Sequence, residues 1–488
     1  MATEFVSRSA DLQVGIQGAD LKVSATQSSG QRGAGEITAM NIQQIKQSFT
    51  KHGIEKVKLG GFDIDGVLRG KYISLEKFFS AAESGLGFCD VIFGWDSSDA
   101  LYDNVTLTGW HTGYPDALAR IDLSTFCVLP WEAHTACFLV DFFRQDGSPL
   151  PVSPRQMLRS VAEAVGKKGY HAKASVEYEY FFFQEDPLSA RQKHFRGMTP
   201  LSPGMFGYSF YRASAHSDLA HGILDTASAM GIELEGFHTE TGPGVYETAI
   251  RYDEALRAGD KAAMFKTVVK IVARKHGLLA TFMAKWNVNL PGCSGHIHQS
   301  LSDRAGKKNL FYDPKSDSHM SELMQRYLAG QLALMREFTV MFCPTVNSYK
   351  RTVPGTWAPT NVTWGIDNRT TALRAISAGA KSTRVEHRLS GADANPYLSI
   401  AASLASGLYG IENSLELPAP VGNAYESQAP ALPRSLEEST ELFRSSKVAR
   451  QIFGDEFVDH YAATRDWEAR QFRRAVTDWE LERYFESI

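Results

Sequence analysis

From Asn41 onward the chain alternates apolar and polar positions in regular patterns that residues 1–40 lack. Residues 1–40 are rich in Ser, Gly, Gln and Ala with weak periodicity, the composition of a flexible extension. IQQIKQSFTKHG then carries apolar residues at helical spacing and ends on a glycine stop. KVKLGGFDIDGVLRGKYIS alternates on either side of Asp65-Gly66, a turn pair that predicts a β-hairpin. ARIDLSTFCVLPW and TACFLVDFF read as further strands, giving a small mixed domain over residues 41–150. SPRQMLRSVAEAVGKKGY opens with Ser-Pro, a helix-start signal, and begins a second domain over residues 151–488. There, strand runs such as ASVEYEYFFF alternate with helices such as SDLAHGILDTASAMG and DKAAMFKTVVKIVARKHG, so the expected class is α+β. The chain shows no internal repeat.

Composition narrows the function classes. A length of 488 residues allows two or more domains, and 43% hydrophobic with 22% charged residues is ordinary soluble composition. A net charge of -4 gives no reason to expect a nucleic-acid or anionic-membrane partner. No apolar run reaches the roughly 20 residues a membrane helix needs, and no signal-peptide core opens the chain, so a cytoplasmic protein is expected. Cys89, Cys127, Cys137, Cys293 and Cys343 are scattered and lack a Cys-x-x-Cys pair, which argues for reduced thiols rather than a disulfide framework or structural zinc.

The chemistry begins with Glu177 and Glu179 in ASVEYEYFFF. Positions i and i+2 of a strand share a face, and two carboxylates there repel unless a positive charge lies between them. A charged edge strand is the alternative. EGFHTETGPGVYE adds Glu240 and Glu247 around a Gly-Pro-Gly turn, SGHIHQSL adds His296 and His298, and STRVEHRL adds Glu386. Carboxylates with a histidine in strand and turn contexts suit hard divalent cations such as Mg²⁺ or Mn²⁺ rather than zinc. Arg351, Arg369, Arg374, Lys381, Arg384 and Arg388 lie in tracts with few other charges. Guanidinium groups recognise carboxylate and phosphoryl oxygens through paired hydrogen bonds, and metals with an arginine cluster are what phosphoryl transfer requires. The chain carries no Walker-type loop, which excludes a P-loop ATPase.

In order and spacing, the motifs from Glu177 to about Ile411, with ADANPYLSIAASLASGLYGIEN, resemble glutamine synthetase, and the likeness extends over most of the chain from about residue 41. The resemblance implies a small N-terminal β-grasp domain and a large catalytic domain built on an antiparallel sheet with helices. It implies two or three Mg²⁺ or Mn²⁺ ions per active site. Glu179, Glu240 and Glu247 would hold one beside glutamate, and Glu177, His296 and Glu386 one at the ATP phosphates. Arg351 would grip the glutamate α-carboxylate, in a pocket with Gly292, Trp357 and Arg388. Arg369, Arg374 and Arg388 would stabilise the transferring phosphoryl group, and His298, Ser300, Lys381, Arg374 and Arg384 would lie at the nucleotide. Asp96 in GWDSSD matches a nucleophile-site aspartate, or is a plain turn residue. The family assembles as two stacked hexameric rings, so a dodecamer is implied. Tyr425 sits near a modifiable tyrosine of bacterial enzymes, in a different local motif.

The implied reaction is ATP-dependent: glutamate's γ-carboxylate is phosphorylated, then an amine displaces phosphate. Two departures bear on the amine. VPGTWAP places Trp357 where the family carries the acid that attracts ammonium, and PGCSGHIH lacks the usual flap Asn. An aromatic position favours a neutral arylamine over a charged one, pointing to γ-glutamylanilide synthesis, with alkylamine or polyamine ligation as the alternative. True glutamine synthetase, an inert structural relative and a guanidino kinase are the other readings. The full set of metal-ligand residues argues against the inert relative.

Overall fold

The computed structural model describes residues 40–488, so the extension expected over residues 1–40 lies outside the described residues apart from Met40. Asn41 caps the first helix, Ile42–His52, in a reciprocal capping box with Gln44, and Gly53 closes it with a left-handed backbone. The strands that follow are Lys56–Phe62 (β1), Leu68–Ile73 (β2), Leu86–Cys89 (β3), Asp116–Val128 (β4) and Thr135–Phe143 (β5). They form one sheet in the order β2-β1-β5-β4-β3, with β1 and β5 parallel at its centre. The β1–β2 hairpin turns through Asp63–Val67. There the Asp63 carboxylate accepts from the Asp65 and Val67 amides (3.1 and 2.8 Å), a wider loop than a two-residue turn.

Residues 151 onward build a nine-stranded sheet. Its strands are Tyr170–Phe183 (β6), Leu234–Thr239 (β7), Val245–Ile250 (β8), Asp253–Glu254 (β9), Leu279–Thr281 (β10), Gly295–Asp303 (β11), Trp364–Ile366 (β12), Leu373–Ile376 (β13) and Arg384–His387 (β14). Their order is β12-β13-β14-β11-β6-β8-β7, with β9 and β10 also pairing β6. All pairs are antiparallel except β12 with β13. The class is α+β. β6 is therefore central, not the edge strand that would have explained Glu177 and Glu179 blandly. One face of β6 buries Val176, Tyr178 and Tyr180, the last two meeting Phe265 of helix Ala255–Lys275 and Phe282. The other face carries the acids. Among the described residues no helix is long and apolar enough to cross a membrane.

The small sheet is fastened to the larger one by buried charge. Arg155, at the start of helix Pro154–Lys167, donates to Asp260 (2.8 and 2.9 Å), Asp141 (2.7 Å) and Asp122 (2.8 Å), and Tyr397 also donates to Asp260 (2.8 Å). A buried guanidinium is tolerable only when its donors are matched in this way. Asn395 caps helix Pro396–Glu412 and reaches back to the Asp63 and Ile64 carbonyls (3.3 and 3.2 Å).

Helices Glu322–Phe342 and Pro396–Glu412 cross with their backbones in contact. A Cβ on Gly330 would lie 2.2 Å from the Ser406 carbonyl and 2.5 Å from the Gly410 amide nitrogen. Alanine would raise helix propensity by about 1 kcal/mol, but rigid backbone cannot yield to such contacts, and overpacking costs roughly 1–3 kcal/mol. The clash should win: Gly330→Ala is expected to lower the denaturation midpoint, while Gly166→Ala, whose Cβ meets nothing within 4 Å, should not. Equal midpoints in urea titrations of the two variants would refute this packing argument.

Candidate active site

The register across the large sheet assembles the site row by row. His296 stands opposite Glu177, and Glu179 opposite Glu247, which in turn faces His238 on β7. His298 stands opposite Glu386, which faces Arg374 on β13. Cross-strand partners share a face with their Cβ atoms about 5 Å apart, so six strands contribute to one surface. Glu240 joins it from the β7–β8 turn.

Two groups of donors close within this surface. Glu177, His298 and Glu386 offer ligand atoms within 4.8 Å of one another, as do His238, Glu240 and Glu247. His296 Nδ1 lies 3.3 Å from Glu386 and 4.0 Å from Glu177, against the two acids with which the resemblance groups it. His298 is the imidazole of the tight triad. Arg384 Nε donates to its Nδ1 (3.1 Å), which fixes the ring proton on Nε2, 3.1 Å from Glu177. Glu179 turns one oxygen to the Ser294 amide (2.5 Å). His238 was missed in the sequence, although it precedes Glu240 by the same two-residue step that drew notice to Glu177 and Glu179. Tyr208 stacks on it, ring centroids 4.3 Å apart.

The two groups differ in charge balance. Glu386 is 1% exposed at its side chain and takes Arg374 Nη1 (2.9 Å) and Arg388 Nη1. Burial would raise its carboxyl, but His296, His298 and Arg388 hold it down at about 2. Glu177 behaves alike: burial opposes ionisation, yet His298, Arg384 and Arg388 keep it at about 2. Among the described residues Glu247 has no guanidinium partner. Burial, with Glu179, Glu177, Glu240 and Glu386 around it, pushes it up to about 9. Burial also raises Glu179. Glu240 Oε2 is buried without a hydrogen-bond donor, and His238 Nδ1, at 3.7 Å, is out of hydrogen-bond reach. Repelling carboxylates, an orphaned oxygen and imidazole nitrogens fit a hard divalent cation.

The other predicted residues divide into two sets. Arg351 is buried; it donates to the Leu389 carbonyl and leaves Nε unpartnered. Gly292 packs on it so closely that a Cβ would lie 2.5 Å from Arg351 Cγ. Arg388 donates to the Trp357 carbonyl (3.4 Å), and its Nε is also without a partner. Trp357 is 65% exposed with φ +60°, left-handed backbone that non-glycine residues seldom adopt. Ser300 is half-buried two positions beyond His298 on β11, while Arg369 and Lys381 are exposed turn residues. Asp96 bonds to none of the cluster. Its carboxylate accepts from the Ser98 and Ala100 amides (2.8 and 3.0 Å) and from Trp467 Nε1 (3.0 Å), fixing a turn against helix Asp455–Arg474.

This fold and this surface belong together in one family. Residues 151–484 match the family described as "Glutamine synthetase, catalytic domain", and the chain belongs to it: it is a ligase of the glutamine synthetase family. It is 51% identical over 438 residues to the type-1 glutamine synthetase 2 of Dictyostelium discoideum, covering 88% of this chain and 84% of that protein. It is 43% identical over 458 residues to the glutamate–isopropylamine ligase of Pseudomonas sp (93% and 100%). To the γ-glutamylanilide synthase of Acinetobacter sp it is 31% identical over 466 residues (89% and 93%). A solved GmaS/ADP complex superposes with a TM-score of 0.79 at 28% identity, over 90% of this chain and 98% of that one.

Glu247 generates a test. Its folded value lies above that of a free carboxyl, so the cation-free protein loses stability as pH rises from about 4.5 towards 9, where the unfolded chain has already released the proton. A cation that replaces this proton should therefore stabilise more at high pH. Thermal melts with and without Mg²⁺ or Mn²⁺ should show a shift that grows between pH 6 and pH 9. Glu247→Gln should shrink the shift and flatten its pH dependence; a shift independent of pH in the unmodified protein counts against this.

Proposed function

We propose that this protein joins the γ-carboxyl of glutamate to the nitrogen of an organic amine, using ATP and passing through γ-glutamyl phosphate. The observation that carries the reading is the sheet face on which Glu177, Glu179, Glu240, Glu247 and Glu386 converge beside Arg374 and Arg388. His238, Glu179, Glu240 and Glu247 would hold one divalent cation, and Glu177, His296 and Glu386 another. Such ions, when bound, would offset the charge of the ATP phosphates. His298, Ser300, Lys381 and Arg384 would line the nucleotide, and Arg351 would take the glutamate α-carboxylate with its free Nε.

In the first step the γ-carboxylate oxygen attacks the terminal phosphorus, the bond to the departing ADP oxygen breaks, and Arg369, Arg374 and Arg388 offset charge on the transferring oxygens. In the second, the amine nitrogen attacks the activated acyl carbon and phosphate leaves from the tetrahedral intermediate. The nitrogen must arrive neutral. Where the family carries an acid for ammonium, this chain has Trp357, which cannot accept a proton. An arylamine is already neutral near pH 7 and can stack on an exposed indole. We therefore favour an aniline-type amine. Alkylamines are the second reading, favoured by the 43% identity to an enzyme named for isopropylamine. Two stacked hexameric rings and a cytoplasmic location belong to the same proposal.

Phosphate release should be followed with ATP, Mg²⁺, glutamate and a panel of aniline, isopropylamine, a diamine, ammonium and hydroxylamine. Aniline is expected to give the highest kcat/KM. Alkylamines alone reacting would remove the aromatic assignment, ammonium leading would make the protein a glutamine synthetase, and no release with any nucleophile would refute the ligase reading.

A stacking contact is worth about 0.5–1.5 kcal/mol. Trp357→Ala should accordingly lower kcat/KM for aniline roughly three- to ten-fold at unchanged KM for ATP. An equal loss with aniline and ammonium would mean that Trp357 only shapes the loop.

A further inference from the structure

At the seam between the two sheets, well apart in sequence from every active-site residue, Cys127 of β4 stands directly opposite Cys137 of β5. Both side chains line one cavity of about 30 Å³ under helix Ala255–Lys275. Directly opposed residues of antiparallel strands have Cα atoms about 4.5–5.5 Å apart, inside the range a disulfide spans. Pairing between β4 and β5 is irregular from Asp122 to Cys127, so Cys127 follows a bulge, where a strand adjusts most readily. Arg257 reaches the same cavity and has a buried Nε with no hydrogen-bond partner.

We propose that Cys127 and Cys137 form a reversible dithiol–disulfide modification site, oxidised by small hydroperoxides that enter this cavity. The cavity has room for a molecule slightly larger than water. Cys127 is the more exposed of the two residues and Cys137 is buried, so a peroxide in the cavity meets Cys127 first. Cys127 is thus the attacking thiol and Cys137 the resolving one. Cys127 attacks the peroxide; the O–O bond breaks, an alcohol leaves carrying the thiol proton, and Cys127 becomes a sulfenic acid. Cys137 then attacks that sulfur; the S–S bond forms, the S–O bond breaks and water leaves with the second proton. Two thiols and one hydroperoxide give one disulfide, one alcohol and one water, the peroxide taking both electrons.

The remaining thiols lack this arrangement. Cys89 donates to the Tyr114 carbonyl (3.5 Å) and Cys343 to the Leu389 carbonyl (3.6 Å), while Cys293 is buried. Reduced full-length protein should be treated with hydrogen peroxide, alkylated and mapped by non-reducing peptide mass spectrometry. Two of the five thiols should be lost as a Cys127–Cys137 cross-linked peptide, and dithiothreitol should restore them. Cys137→Ser should leave Cys127 as a sulfenic acid trapped by dimedone, and Cys127→Ser should protect Cys137. Circular dichroism establishes that the variants fold, with Cys137→Ala used if Ser is not tolerated. Oxidation starting at Cys89, retention of all five thiols, or oxidised Cys127 without a cross-link would each overturn the proposal.

Discussion

Carboxylates gathered on one face of a sheet repel one another, and everything at this site is an answer to that repulsion. The protein answers it in two ways within a few strands. Around Glu386 and Glu177 it supplies guanidinium and imidazole, and both acids stay ionised. Around Glu247 it supplies none, and in the protein alone the acid keeps a proton instead. The site is therefore asymmetric in its demand for cations. On the proposed function, the lobe of Glu179, Glu240 and Glu247 would exchange a proton for a cation, whereas the arginine-flanked lobe would meet the charge of a phosphate chain.

Holding repelling groups together needs a scaffold that cannot relax. β6 supplies it by lying in the middle of the sheet, hydrogen-bonded on both sides and backed by tightly packed aromatics. A one-residue slip of any neighbour would send its ligands to the helix-covered face, so the apolar positions that bury that face also fix the register of the acids. Farther out, the buried Arg155–Asp260–Asp141–Asp122 network gives the small sheet one seating on the large one. Removing any member would strand a charge in the interior.

Much of this was legible in the sequence because it depends on local rules. Alternation gave β6 and placed Glu177 with Glu179. The Ser153-Pro154 pair marked a helix start, and Asp65-Gly66 marked the hairpin. What stayed hidden depends on pairing between distant strands. No local pattern says that His298 stands opposite Glu386 while its Nε2 meets Glu177, that β7 sets His238 against Glu247, or that a bulge brings Cys127 opposite Cys137. Asp96 adds a contact of the same kind: its carboxylate accepts from its own turn and from Trp467, across 371 positions that no window of sequence contains.

Trp357 ties the two halves of the chemistry together. A tryptophan in the left-handed region costs about 1–2 kcal/mol relative to ordinary backbone, and its exposed ring recovers little of that by burial. Part of the conformation is held by Arg388, which donates to the Trp357 carbonyl while also donating to Glu386. One guanidinium thus bridges the Trp357 loop and the carboxylate set around Glu386. Arg388 is shared by both contacts, so on the proposed reaction the loop that would meet the amine and the carboxylate beside the transferring phosphoryl group draw on one guanidinium, and a substitution at Arg388 would alter both steps together.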